Sequence, residues 1–131
     1  MADVKVGDTK SLVVVDDLTR TQIVQYAGAS GDYNPLHSDD RFTKEIAGYP
    51  SVFAHGMLTM GMTGRVLTDW FGAEALVSYG ARFVAQVWPG DRLTATATVT
   101  EVRDDGIAEV SVSTTNQDGA VVLAATATVR V

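Results

Sequence analysis

Apolar and polar residues alternate with two different periods along this chain, and the change of period divides it. From Leu93 onward the period is two. Leu93, Ala95, Ala97 and Val99 alternate with Thr94, Thr96, Thr98 and Thr100. Ala108, Val110 and Val112 alternate with Glu109, Ser111 and Ser113, and Val121, Leu123, Ala125, Ala127, Val129 and Val131 form one face of a last segment. Such spacing predicts long, half-buried strands of an antiparallel sheet. Asp104-Asp105-Gly106 and Gln117-Asp118-Gly119 read as hairpin turns, and Pro89-Gly90-Asp91 as a further turn. Ala75 to Val87 supplies one more strand, and Ser11 to Val15, with three successive valines, a short one.

The first half reads as helical. Thr19 can cap a first turn while Gln22 reaches back to it, and Leu18 with Ile23 forms the matching apolar staple. Ile23, Tyr26 and Ala27 share a helix face, and Gly28 and Gly31 end that helix. An irregular stretch from Ser30 to His37 follows, in which Pro35 restricts Asn34 to extended backbone. Ser38 to Ile46 predicts a short helix with Ser38 as its cap and Asp39 and Asp40 solvated at its start. Val52 to Phe71 has the length of a long helix, although Gly56, Gly61 and Gly64 each cost about 1 kcal/mol relative to alanine in a helix interior. Its apolar residues point all round, so it is expected to be buried on most sides. A long antiparallel sheet and one long apolar helix are both satisfied when the sheet curves and wraps round the helix. The expected class is therefore α+β, with the hot-dog architecture.

Composition narrows the function. At 131 residues the chain fits one domain, expected over residues 1–131, and 46% hydrophobic with 20% charged residues is a globular balance. There is no cysteine, which excludes thiol nucleophiles and zinc–thiolate sites. The net charge is −6 and the basic residues are scattered, so neither nucleic acid nor an anionic membrane surface is an expected partner. His55, Arg65 and Asp69 interrupt the least polar stretch, which does not read as a membrane span. The start of the chain lacks a signal pattern, and a cytoplasmic protein is expected.

The chain has two histidines. His37 follows Asp32 by five residues, across a turn stiffened by Pro35. A loop can fold both side chains toward one point, and a carboxylate beside an imidazole fixes its tautomer and tunes its basicity for acid–base work. The alternative is that Asp32 caps a turn and His37 lies on the surface. His55-Gly56-Met57 stands at the start of the apolar helix, where free N–H groups and the positive dipole end meet a glycine without a blocking side chain. Gly56 N–H can serve a carbonyl oxygen. The alternative is a glycine chosen for tight packing. Two histidines without a ligand cluster give no expected metal site.

Three segments carry a resemblance. Tyr26-Ala27-Gly28-Ala29-Ser30-Gly31-Asp32-Tyr33-Asn34-Pro35-Leu36-His37-Ser38-Asp39 resembles the hydratase-2 motif of the MaoC-like (R)-specific enoyl hydratase/dehydratase family. Ala54-His55-Gly56-Met57-Leu58-Thr59-Met60-Gly61 resembles the start of that family's central helix, and Ala81-Arg82-Phe83-Val84 with Val87-Trp88-Pro89-Gly90-Asp91 its following strand and turn. Within the family the chain is most similar to the catalytic subunits of actinobacterial (R)-3-hydroxyacyl-ACP dehydratases. The resemblance implies a hot-dog fold and a hydro-lyase of fatty acid metabolism, interconverting (R)-3-hydroxyacyl and trans-2-enoyl thioesters on CoA or acyl carrier protein. It makes Asp32 and His37 the catalytic pair, Asn34 a shaper of their loop, and Gly56 the N–H that polarises the thioester carbonyl. It implies no cofactor. Some relatives carry a serine further along the helix, where this chain reads Met62-Thr63-Gly64. The competing readings are a hot-dog acyl thioesterase and a non-catalytic acyl-binding hot-dog subunit. A homodimer is the expected assembly, with a heterodimer containing a second hot-dog subunit as the alternative.

Overall fold

The computed structural model describes residues 3–131. Strand β1 (Thr9–Val15) leads to helix α1 (Arg20–Ser30), a 3₁₀ turn (Pro35–His37), helix α2 (Asp40–Glu45) and helix α3 (Gly56–Phe71). A second 3₁₀ turn (Ala73–Ala75) precedes β2 (Leu76–Phe83), β3 (Leu93–Val102), β4 (Ile107–Thr115) and β5 (Val121–Arg130). The strands form one antiparallel sheet in the order β1-β3-β4-β5-β2. Helix α3 touches both edge strands, β1 and β2, as well as β3 and β5. A helix can reach both edges of one sheet only if the sheet curls round it, which is the hot-dog arrangement.

The period-two pattern sets the inner face. Leu93, Ala95, Ala97, Val99, Ala108, Val110, Val112, Leu123, Ala125, Ala127 and Val129 are all buried. Alanines recur at the middle of this face and leave room for a helix to approach. Val121 departs from the expected set: it is 41% exposed while Val122 is buried. The register slips between Thr114, which pairs with Leu123, and Thr115, which pairs with Val121, so Val122 is the extra residue and the regular alternation begins at Leu123.

Hydrogen bonds fix α3 to three strands. Thr63 and Thr114 share one between hydroxyls at 2.6 Å, Arg65 Nη1 donates to the Val14 carbonyl at 3.1 Å, and Tyr79 Oη donates to the Met60 carbonyl at 2.7 Å. Burial pushes the Tyr79 phenol up to about 12. The buried positions of α3 are Thr59, Thr63, Val66 and Leu67, a single stripe at helical spacing. The expectation of burial on most sides holds: Leu58, Met60, Met62, Trp70 and Phe71 pack half-buried against the core beside that stripe, and of the helix positions only Met57, Gly61, Arg65 and Asp69 stand exposed.

Other boundaries also move. Helix α3 begins at Gly56, not Val52, because Phe53 and Ala54 donate their N–H groups to Leu36 and Val87 carbonyls as extended chain. Gly28 lies within α1, and Gly31 alone ends it, at φ +77° with its N–H on the Ala27 carbonyl. The Thr19–Gln22 capping box and the burial of Leu18 and Ile23 are as expected. Asp39, not Ser38, caps α2, since Ser38 closes the preceding 3₁₀ turn through its own N–H. Strand β2 stops at Phe83, where the N–H groups of Val84 and Ala85 both turn onto the Val122 carbonyl. Among the described residues, no helix is long and apolar enough to cross a membrane.

Candidate functional site

The loop after α1 is held by its own side chains. Ser30 Oγ accepts from Asp32 N at 3.1 Å, Asp32 Oδ1 from Asn34 N at 3.2 Å, and Asn34 Oδ1 from Leu36 N at 3.0 Å. Each bond replaces a water that an unstructured loop would need, so a short polar stretch becomes a rigid run of turns. Asn34 caps the 3₁₀ turn that ends at His37. Asp32 does cap a turn, yet its side chain also meets the histidines: ligand atoms of Asp32, His37 and His55 all lie within 4.8 Å of one another.

The tautomers follow from the partners. His37 Nδ1 lies 2.7 Å from the Phe53 carbonyl oxygen. A carbonyl only accepts, so Nδ1 carries the proton and Nε2 of the neutral ring holds a free lone pair. His55 Nε2 lies 3.1 Å from the Asp32 carbonyl and is therefore its donor. The two imidazoles stack with ring centroids 3.8 Å apart and planes 24° from parallel, and the Tyr26 ring from α1 meets His55 edge-on at 4.8 Å. His55 is 2% exposed. Burial lowers its basicity below the usual imidazole range, the Asp32 carbonyl bond opposes that, and positive charge on His37 adds to the lowering. It is held neutral.

The expectation that two histidines form no ligand cluster is therefore incomplete, since Asp32 joins them. The stacked rings hold their in-plane lone pairs in two planes only 24° from parallel, whereas a single metal ion needs both lone pairs to meet at it. The group suits proton exchange beside a fixed base.

His55 is the residue whose role the sequence does not disclose. It occupies the N-cap of α3 without making a side-chain capping bond. Ser, Thr, Asp and Asn dominate that position, so an uncapping histidine there is the available signal. Asp40 is not simply solvated, as its place at a helix start suggests. Its Oδ1 accepts the Val52 N–H at 3.1 Å and its other oxygen pairs with Arg20. These bonds, backbone first, hold its carboxyl below the usual range. They anchor the chain that delivers Phe53 and His55.

Gly56 is the first residue of α3 and borders a cavity of about 250 Å³. Phe53, Thr59, Phe83, Val87 and Val122 also line it. A Cβ on residue 56 would stand 2.9 Å from the Phe83 ring. Packing against Phe83 and access of the helix start to the cavity thus both require glycine. Thr63, in the Met62-Thr63-Gly64 segment, is engaged with Thr114 in the core. With a free imidazole lone pair, a carboxylate and an accessible helix start, the arrangement can move a proton and stabilise a developing oxyanion.

The MaoC like domain family matches residues 4–121. Among curated proteins, 3-hydroxyacyl-thioester dehydratase Y from Mycobacterium tuberculosis is 37% identical over 109 residues, which is 81% of this chain and 37% of that protein. The chain spans about a third of the length of the first such relatives, with coverage of 37%, 32% and 30%. A solved structure described as an (R)-hydratase from A. caviae involved in PHA biosynthesis matches at TM-score 0.87 and 26% identity, covering 100% of this chain and 99% of that one. The ChsH1-ChsH2 complex from Mycobacterium tuberculosis contains a chain matching at TM-score 0.80 and 27% identity, with 98% of each chain covered.

Proposed function

This chain belongs to the MaoC-like family, and on that premise we propose that it is an (R)-specific hydro-lyase of fatty acid metabolism. It interconverts (R)-3-hydroxyacyl and trans-2-enoyl thioesters carried on CoA or acyl carrier protein. Asp32 and His37 are the catalytic pair. In the dehydration direction they take the C2 proton and deliver a proton to the departing C3 hydroxyl, which leaves as water. The electron pair from the C2–H bond delocalises onto the thioester oxygen and then forms the C2–C3 double bond. The Gly56 N–H, at the positive end of α3, stabilises that oxygen. Asn34 holds the loop in shape. The chemistry calls for no cofactor and acts within one domain over residues 1–131.

The single observation that carries this reading is the bond from His37 Nδ1–H to the Phe53 carbonyl at 2.7 Å. It leaves the Nε2 lone pair as a base beside the Asp32 carboxylate. The dehydratase and (R)-hydratase activities named for the relatives support the substrate class. A thioesterase of this fold would place an acid on the central helix, and the first acid on α3 is Asp69, far from Gly56 near the other end. Incubation of the purified protein with crotonyl-CoA tests the assignment. Loss of the enoyl absorbance with formation of (R)-3-hydroxybutyryl-CoA is expected. Release of free thiol would replace the reading with a thioesterase, and an (S) product would defeat its stereochemistry.

The assembly we propose is a homodimer joined along β2. Strands β1 and β2 are the sheet edges, and an unpaired edge is a template for another strand. Val77 and Phe83 of β2 are 47% and 52% exposed, as is Val84 just beyond it at 50%. The two-protein ChsH1-ChsH2 complex supports a heterodimer with a second hot-dog subunit as the alternative partner. A cytoplasmic location belongs to the same reading.

A further inference from the structure

Among the described residues, two buried side-chain atoms have no hydrogen-bond partner, His55 Nδ1 and Thr59 Oγ1. Both sit at the start of α3, one turn apart. Thr59 is 3% exposed and lines the cavity that Gly56 borders. We infer that Thr59 is a second hydrogen-bond donor to the thioester carbonyl oxygen, acting beside the Gly56 N–H. The inference rests on the hydratase reading above and adds to it a residue that the sequence pattern does not single out.

The geometry follows from the helix. Residues three apart share a face, and every Cα–Cβ bond tilts toward the helix N-terminus. The Thr59 side chain therefore leans toward the end at which the first-turn N–H groups also point. At residue 56 there is no Cβ to stand between them. Phe53, Phe83, Val87 and Val122 supply an apolar part of the surrounding wall, which Gln86 also joins. In such surroundings each hydrogen bond to a developing oxyanion is stronger than it would be in water. A carbonyl oxygen has two lone pairs and can accept from both donors at once.

A structural role for the hydroxyl is not on view. Threonine within a helix ordinarily bonds the carbonyl four residues back. Here that carbonyl, His55 O, already accepts the N–H groups of Leu58 and Thr59, at 3.1 and 3.3 Å. The other buried threonines are all engaged: Thr43 donates to the Asp39 carbonyl at 2.7 Å, and Thr63 and Thr114 bond each other at 2.6 Å. A valine at position 59 would fill the same volume without burying a polar atom. An unpaired buried hydroxyl lowers stability, so its retention on a residue that lines the cavity points to a group held for a ligand.

The test compares wild type, Thr59→Val and Thr59→Ser in crotonyl-CoA hydration and in thermal melts. Thr59→Val should lower kcat about 10²-fold, the scale of losing one oxyanion donor. Its melting temperature should hold or rise, and Thr59→Ser should recover most of the rate. The carbonyl stretch of bound crotonyl-CoA, measured in an Asp32→Asn background, should lie at lower frequency when Thr59 is intact than when Thr59→Val is added. Wild-type kcat in Thr59→Val, in an active wild-type enzyme, overturns this inference alone. An unshifted carbonyl stretch, or a lowered melting temperature with equal rate losses in the Thr59→Val and Thr59→Ser variants, does the same. A wild-type protein without hydratase activity overturns the reading beneath it as well.

Discussion

The ring of His55 lies flat against the ring of His37, centroids 3.8 Å apart, while its Nε2–H holds the Asp32 carbonyl at 3.1 Å. One side chain thus braces both members of the proposed pair, across 23 residues of chain. Its effect on the reaction should run through position, since small displacements of reacting groups cost up to about 10²-fold in rate. His55→Gln retains an N–H donor at nearly the same reach, and His55→Leu does not. Steady-state kinetics should show kcat falling at least about tenfold in His55→Leu, with KM little changed and a clear recovery in His55→Gln. Normal turnover in a folded His55→Leu protein would make the ring a packing element only.

The buried state of His55 also carries a pH signature. Burial, the largest cause, lowers its basicity in the folded chain below the ordinary imidazole value of 6.5. The unfolded chain therefore binds the proton more readily. By linkage, the stabilisation is complete above about pH 6.5 and is lost as pH falls through the lower folded value. The groups facing His55 are His37, Asp32 and Tyr26. Thermal melts between neutral pH and mild acid should show wild type losing more stability than His55→Gln, which cannot titrate. Parallel pH curves for the two proteins would contradict the depressed basicity.

Asp32 and His37 should behave as one unit. Asp32→Asn keeps the turn, because an amide oxygen can still accept the Asn34 N–H, but removes the charge. His37→Ala removes the base and the bond to Phe53. Each should lower kcat by about 10²-fold or more, and the double variant should be little worse than either single one. Multiplying losses would mean that the two groups act in separate steps.

How far all this is legible in the sequence depends on whether the determining contact is local. Strands β3, β4 and β5 announce themselves through alternation and glycine turns, both properties of adjacent residues. Gly28 and Gly31 look alike in sequence, but only Gly31 takes a left-handed φ, +77°. Val52, Phe53 and Ala54 are apolar enough for a helix or for buried extended chain, and the carbonyls of Leu36 and Val87 decide between them. Asp32, Asn34 and His37 can be read because one loop holds all three. The brace of His55 and the unpaired hydroxyl of Thr59 cannot. Both are defined by what other segments offer or withhold across the fold.

The β2 edge should govern assembly and activity together. Val77 and Val84 are each about half exposed and Phe83 lies between them on the same stretch, its ring against Gly56. A second copy pairing there would cover apolar surface that water now meets and would satisfy the outward backbone groups of the strand. It would also close the open side of the cavity, which Phe83 and Val84 line. Light scattering on the purified chain should give twice 13.9 kDa. Val77→Asp and Val84→Asp place charge on the strand that must pair, and should shift the protein toward monomer while lowering turnover at low protein concentration. Raising the concentration should restore turnover as the dimer re-forms. A wild-type chain that stays monomeric and inactive until a second hot-dog protein is co-expressed would assign the edge to a heterodimer. A fully active monomer at nanomolar concentration would leave the edge without this role.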